Sequence, residues 1–195
     1  GSIIAYMDEV GRRPLHLSDY DKAVLAVRDG DFETFSSLYP RVPDRANDLL
    51  IEVSGRPGRI GGNMVLMLLS AVEQFSPEAY LTACKRAVDT GDSQRVRTLV
   101  DEAKSHLSEP RPSLAGEVMV YAYTCNRKSM ARELIDKSTP EQIAAAPSAL
   151  LRQAAASLDL QAAVTLIDKG IRPGDHVEDI LRTLTGQHQE LSLIH

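Results

Sequence analysis

The feature that most narrows what this chain can fold into is a degenerate internal repeat. Four segments share one grammar of apolar helix, small or polar break, and second apolar helix: Ala26-Val-Arg-Asp-Gly-Asp31, Ala87-Val-Asp-Thr-Gly-Asp92, Ala122-Tyr-Thr-Cys-Asn-Arg127 and Ala154-Ala-Ala-Ser-Leu-Asp159. The last three recur at intervals of 35 and 32 residues. The first lies 61 residues before the second, leaving room for one divergent unit between Pro43 and Gln74. A period of this length marks stacked supersecondary units, each too small to cover its own apolar faces. The expected fold is therefore all-α, an α-solenoid of about five stacked helix-turn-helix repeats, with a closed bundle of unequal helices as the alternative packing.

Periodicity supports helices on both sides of each break. Second helices carry stripes at i, i+3 and i+4: Val96, Leu99, Val100 and Ala103; Met130, Ala131, Leu134 and Ile135; Ala162, Ala163, Leu166 and Ile167. The tetrapeptide Leu-Ile-Asp-Lys occurs at 134–137 and again at 166–169, one repeat apart. First helices show matching faces in Tyr80, Cys84, Ala87 and Val88, and in Val118, Tyr121, Ala122 and Cys125. Alternation would let Val118 to Cys125 pass for a strand, but Met119, Ala122 and the helical stripe favour a helix. Ser76-Pro77-Glu78 and Thr139-Pro140-Glu141-Gln142 place a capping hydroxyl before a proline at the first helical position, the second with a capping-box glutamine. Ser18, Asp44 and Ser113 are further candidate caps.

These marks divide a single helical-repeat domain, 1–195, into hairpins at 18–42, 43–75, 76–110, 111–138 and 139–172. Residues 1–17 read as the second helix and joint of a partial repeat, and 173–195 as a terminal helix. Gly1-Ser2 resembles the scar of a removed tag, and the chain is expected to be a fragment of a longer protein.

Composition excludes several function classes. The most apolar run, Met64 to Leu69, is far shorter than the roughly 18 residues a membrane span needs, so a soluble chain with no membrane partner is expected. Cys84 and Cys125 are the only cysteines and stand in no zinc-type cluster, which suggests core thiols in an intracellular reducing compartment. His16, His106, His176, His188 and His195 never pair at metal-binding offsets and read as surface residues. There is no Gly-x-Ser-x-Gly elbow, and both cysteines fall on expected core faces. We therefore expect no enzyme, no catalytic residue and no cofactor. A net charge of −5 supplies no general attraction for nucleic acid, though a local basic groove is compatible with it.

Met7-Asp-Glu-Val-Gly11-Arg-Arg-Pro14, followed after three residues by Ser18, resembles the joint of a pentatricopeptide repeat. Gly30 follows Pro14 by sixteen residues, as in that family, and Asn126 follows Pro110 by the same interval. Gly170-Ile-Arg-Pro173 repeats the Gly-x-x-Pro joint, and Ala131 and Ala163 stand where the family places alanine five residues after the break. The resemblance implies single-stranded RNA recognition, one base per repeat, in organellar RNA metabolism, hence a mitochondrial or chloroplast location; otherwise the location is cytoplasmic. Its base-reading positions carry over to Tyr20, Leu81, Gly116, Ser148 and Asp179, of which Ser148 is a residue type the family uses. Leu15, Arg111 and Gly174 follow the three joint prolines, where the family places Asp or Asn. The rival resemblance is to ankyrin repeats, through Leu151-Arg-Gln-Ala-Ala155 and Leu166-Ile-Asp-Lys-Gly170, although no unit contains Thr-Pro-Leu-His. That resemblance implies a protein-interaction scaffold docking on a partner protein.

The candidate RNA-binding residues are therefore Tyr20, Ser148 and Asp179, together with Arg86, Arg95 and Arg97 near one hairpin break. Planar guanidinium groups suit phosphate or acidic side chains, and solvated helix faces account for the same residues. Gly55-Arg-Pro-Gly-Arg-Ile-Gly-Gly62 carries Arg56 and Arg59 on a glycine-rich backbone of the kind that can cradle phosphate. It lacks the Lys-Ser/Thr of a P-loop, and it reads first as a flexible inter-helix loop.

Overall fold

The computed structural model describes residues 16–172 together with Gly174, Arg182 and Gly186. The joint at Met7 to Pro14 and the terminal segment with Asp179, His176, His188 and His195 lie outside the described residues. Within them the chain forms α1 (Asp19–Asp29), α2 (Phe32–Leu38), two short 3₁₀ turns, α3 (Ala46–Ser54), α4 (Gly58–Ala71), α5 (Pro77–Thr90) and α6 (Ser93–His106). It continues through α7 (Leu114–Thr124), α8 (Lys128–Lys137), the five-residue α9 (Pro140–Ala144), α10 (Ala149–Ala156) and α11 (Leu160–Asp168). Val118 to Cys125 is helical but for its last residue, as the stripe required. Among the described residues there is no strand, only an isolated bridge between Phe75 and Leu107.

The repeated breaks have one backbone solution. A helix ends on a left-handed residue, and in three of the four breaks the aspartate that follows caps the next helix. Gly30 (φ 71°), Gly91 (φ 79°), Asn126 (φ 58°) and Leu158 (φ 57°) occupy the left-handed position. Asp31, Asp92 and Asp159 then accept from the backbone N–H three residues on, at 3.1, 3.2 and 3.3 Å. In the first, fourth and fifth hairpins the residue after the left-handed one returns its own N–H to a helical carbonyl five residues back: Asp31 to Ala26, Arg127 to Ala122, Asp159 to Ala154. Each turn therefore satisfies orphan carbonyls of one helix, and the three that carry an aspartate also satisfy an orphan amide of the next, whereas Arg127 gives α8 no side-chain cap. Asn126 and Gly30 are tolerant of this conformation; Leu158 is not, because its Cβ crowds the following carbonyl.

The expected caps divide in the same way. Ser18, Ser76 and Thr139 accept from the amides of Asp21, Ala79 and Gln142, and Thr139 with Gln142 completes the capping box. Asp44 does not cap, because Pro43–Arg45 is a 3₁₀ turn and α3 starts after Arg45, which makes an ion pair with Asp48 at 2.7 Å instead. Ser113 precedes α7 but spends its hydroxyl on Glu117, at 3.0 Å.

The helices pack in two rows. In one, α1 touches α3, α3 touches α5, α5 touches α7, and α7 touches α10; each also packs on the helix that follows it across its break. In the other, α4 touches α6 and α8 touches α11, an arrangement consistent with a helical repeat. A continuous apolar core runs from Ala23 to Ile171 and contains all the second-helix stripe residues except Ile167, which stays 44% exposed at the outer side of α11. Each fully buried Leu, Ile or Met is worth about 2 kcal/mol in transfer, so this seam between neighbouring units carries the fold.

One set of polar contacts between units falls on helix C-termini, where carbonyls lack partners. His106 Nε2 lies 2.6 Å from the Leu69 carbonyl at the end of α4, with the ring tilted beside Phe75 at 6.3 Å between centroids; it is a contact between units, not the surface residue expected. Lys169 donates to the carbonyls of Ile135, Asp136 and Ser138 at the end of α8. Arg127 donates to the Asp89 carbonyl near the end of α5. Cationic side chains suit these positions because they also oppose the negative end of the helix dipole.

Candidate binding surface

The Gly55–Gly62 segment departs from the other breaks, and it organises the surface around it. Only 55–57 is a connection: Gly58 to Gly62 open α4. A Cβ at Gly61 would overlap the Arg56 carbonyl oxygen, so the glycine is there to let the incoming backbone lie against the first turn. No aspartate follows the break, and α4 has no side-chain cap. Instead Arg95, from α6 of the next unit, donates to the carbonyls of Ser54 (2.9 Å), Arg56 (2.7 Å) and Gly58 (2.8 Å). It is 3% exposed, and Asp92 lies 3.6 Å from its Nε. Burial pulls its pKa down and Asp92 opposes that shift. The segment is a stapled corner, not a flexible loop, and the carbonyls of its break face a cation rather than a phosphate.

The three arginines grouped by sequence separate here. Arg95 spends both terminal nitrogens on this corner, with its Nε facing Asp92 and making no hydrogen bond. Arg97 points across to α8, donating to Glu133 at 2.9 Å and to Gln94 at 2.8 Å. Arg86, on α5, stays 56% exposed, packs beside Gly55, and has only a long 3.9 Å pairing with Asp89.

The positions the pentatricopeptide resemblance would use for base reading are likewise dispersed. Tyr20 lies half-buried on α1 with the Arg45 guanidinium 3.6 Å above its ring, and burial, reinforced by Asp48, raises its phenol pKa. Leu81 is buried, and Gly116 abuts Ala146 so closely that a Cβ would overlap it. Ser148 is half-buried at the start of α10, makes no cap bond, and lies under Gly174.

Two clusters escaped sequence reasoning. Asp159, besides capping α11, accepts from Tyr123 (3.0 Å) and Arg132 (2.8 Å) while 1% exposed. Burial pushes its carboxyl up, but the bonds from Arg132, Tyr123 and the Ala162 amide outweigh that and hold it below the ordinary carboxylate value. The other is a cleft of about 420 Å³ beside the stapled corner, lined by Arg28, Glu52, Arg56 and Arg86 with Val27, Ile51 and Pro57. Arg28 could have been found as the third residue of the repeated Ala26-to-Asp31 break; its convergence with Arg56 and Arg86 could not.

The Cys84 thiol is buried and its pKa is pushed well up by burial, which disfavours the thiolate. Cys125 is half-buried rather than in the core, with its sulfur 3.9 Å from Asp89 Oδ1, which also accepts from Tyr121. Among the described residues no His, Cys, Asp or Glu cluster could hold a metal ion, and no helix is long and apolar enough to cross a membrane. The chain matches no family model, no curated protein and no solved structure.

Proposed function

We propose that the chain is a non-catalytic binding module, an α-solenoid of five stacked hairpins that docks on a partner protein. The observation that carries this reading is the condition of the positions an RNA-reading repeat would need. Leu81 and Gly116 are closed by packing, and Arg95 and Arg97 already spend their terminal guanidinium nitrogens on acceptors of the chain itself. A chain of net charge −5 adds no general pull on phosphate. What stays open to solvent is a local basic cleft and scattered apolar side chains on the outer helices, including Leu66, Val164 and Ile167, which suits a protein surface.

The second reading, a pentatricopeptide-like RNA binder of organelles, is favoured by one observation. The sixteen-residue interval from Pro14 and from Pro110 lands on Gly30 and Asn126, both left-handed residues that close a first helix. A titration with a labelled pool of single-stranded RNA at low and moderate salt separates the two. The protein-docking reading expects no saturable complex at low salt. A complex whose affinity falls steeply with salt, as phosphate contacts require, would overturn it in favour of RNA.

A further inference from the structure

Among the described arginines, Arg45, Arg95, Arg97, Arg111, Arg127 and Arg132 each make at least one bond of 2.9 Å or shorter. Arg28, Arg56 and Arg86 make none that short, and unlike Arg41, Arg59 and Arg152, which also make none, they lie together on one cleft. Arg28 has a single ion pair, 3.9 Å from Glu52 and 66% exposed; Arg86 has a single ion pair, 3.9 Å from Asp89. Arg56 makes only a 3.3 Å bond to the Pro57 carbonyl, and its Nε is buried without a partner. These under-used guanidinium groups line the same cleft, and each comes from a different hairpin: the end of α1, the corner after α3, and α5. Glu52 is the one carboxylate among the lining residues. Three cations facing one anion, in a chain of net charge −5, leave a local surplus that an incoming anion would neutralise.

We infer that this cleft binds an acidic peptide segment of a partner protein, one that sets carboxylates on Arg28 and Arg86 around an apolar side chain seated against Ile51 and Pro57. The inference rests on the protein-docking reading above and names the chemistry of the partner at that site. Two features of the cleft select a peptide over a nucleic acid. Its lining contains no aromatic ring on which a base could stack, and stacking is the main sequence-tolerant contact of single-stranded binding sites. Its walls beyond the arginines are aliphatic, from Val27, Ile51 and Pro57, which complements a short apolar side chain and not a ribose-phosphate track. Guanidinium forks take carboxylates in two-pronged fashion, so a segment with acidic residues on both sides of one Leu or Val fits the spacing of cations and apolar wall.

The test uses the whole chain and a fluorescein-labelled peptide Glu-Glu-Leu-Glu-Glu, followed by anisotropy, with Lys-Lys-Leu-Lys-Lys and labelled oligouridine as companion probes. Saturable binding of the acidic peptide alone is expected. Arg28→Gln and Arg86→Gln should each weaken it by about fivefold or more, and Arg152→Gln, at an exposed site outside the lining, should leave it unchanged. Glu52→Gln should tighten it by roughly twofold to fivefold, because Glu52 competes for Arg28. That gain in affinity cannot arise from a variant that fails to fold. Binding unaffected by both arginine variants, or weakened by Glu52→Gln, would overturn the assignment. Failure of all three probes would remove the cleft assignment and leave the docking reading standing, whereas oligouridine binding that depends on Arg28 and Arg86 would overturn both.

Discussion

In the first hairpin the break is closed by its own sequence neighbours: Gly30 turns the chain in the left-handed region and Asp31 caps α2 through the Thr34 amide and hydroxyl. In the second hairpin the amides of Gly55 and Arg56 return to the Ile51 and Val53 carbonyls, but no residue of the break caps α4. The carbonyls of Ser54, Arg56 and Gly58 are satisfied by Arg95, which is 37 to 41 residues away and belongs to the next unit. A self-contained break lets a unit form its turn before it meets its neighbour. A break capped from outside makes the second unit depend on the third, and it leaves the nearby cations Arg28, Arg56 and Arg86 without strong partners of their own.

The sharpest way to break this contrast is Arg95→Met. The substitution keeps much of the buried stem but strands the Ser54 and Arg56 carbonyls, each costing about 1 to 3 kcal/mol when left unpaired away from water, and removes a second bond from the Gly58 carbonyl. A loss of about 3 kcal/mol or more is expected in urea unfolding. Asp31→Ala, which removes an exposed local cap, should cost about 1 kcal/mol at most. If the two variants lose equal stability, the second break does not depend on the third unit.

Gly61→Ala should come next. Its Cβ would overlap the Arg56 carbonyl that Arg95 also engages, so the corner must open or α4 must shift, at about 1 to 3 kcal/mol. Gly62→Ala is the matched control: only the tip of Arg95 lies near its added Cβ, at 3.8 Å, and helix propensity favours alanine. Melting curves should show a clear drop for the first variant and little change or a small gain for the second.

The contrast also explains which parts of this molecule could be read in advance. Helix positions, the three hydroxyl caps at Ser18, Ser76 and Thr139, and nearly all second-helix core residues were legible because each depends on residues within one or two turns. Arg95 was legible only as a cation near a break, since nothing local marks it as buried; its partners are backbone atoms of another unit, which carry no residue identity. The same holds for His106, Lys169 and the Arg132–Asp159–Tyr123 cluster. The glycines of 55–62 suggested looseness, whereas here they serve close approach. The cleft was invisible for the simplest reason: its three arginines are drawn from three units.

Asp159 tests what burial adds to an otherwise local break. Asp159→Asn keeps the shape and the cap but removes the charge that Arg132 and Tyr123 meet, and about 1 to 2 kcal/mol should be lost at neutral pH. The sign with pH follows from the direction of the shift. Its carboxyl sits below the ordinary value in the folded chain, so its contribution is full above the unfolded value of about 3.9 and fades as pH falls through the folded value. The stability difference between parent and Asn variant should therefore be level above about pH 5 and shrink below about pH 4. A difference that stays constant down to the acid transition would show that the ionised form is not what the cluster stabilises.

The smallest expected effect compares two occupants of the same left-handed position. Leu158 holds φ 57° with its side chain 54% exposed, so it bears the conformational cost of a β-carbon there and returns little buried surface. That cost is about 1 to 2 kcal/mol, against roughly 0.5 to 1 kcal/mol of extra chain entropy that glycine loses on folding. Leu158→Gly should thus stabilise the chain by about 0.5 kcal/mol. The reverse experiment at the third break, Gly91→Ala, meets both the unfavourable φ of 79° and the Arg127 guanidinium 2.9 Å from the added Cβ. It should cost about 1 to 2 kcal/mol. Opposite signs in paired urea titrations would establish that the breaks share one backbone solution despite unlike residues. A loss from Leu158→Gly would mean that the exposed leucine is held by contacts worth more than the strain it bears.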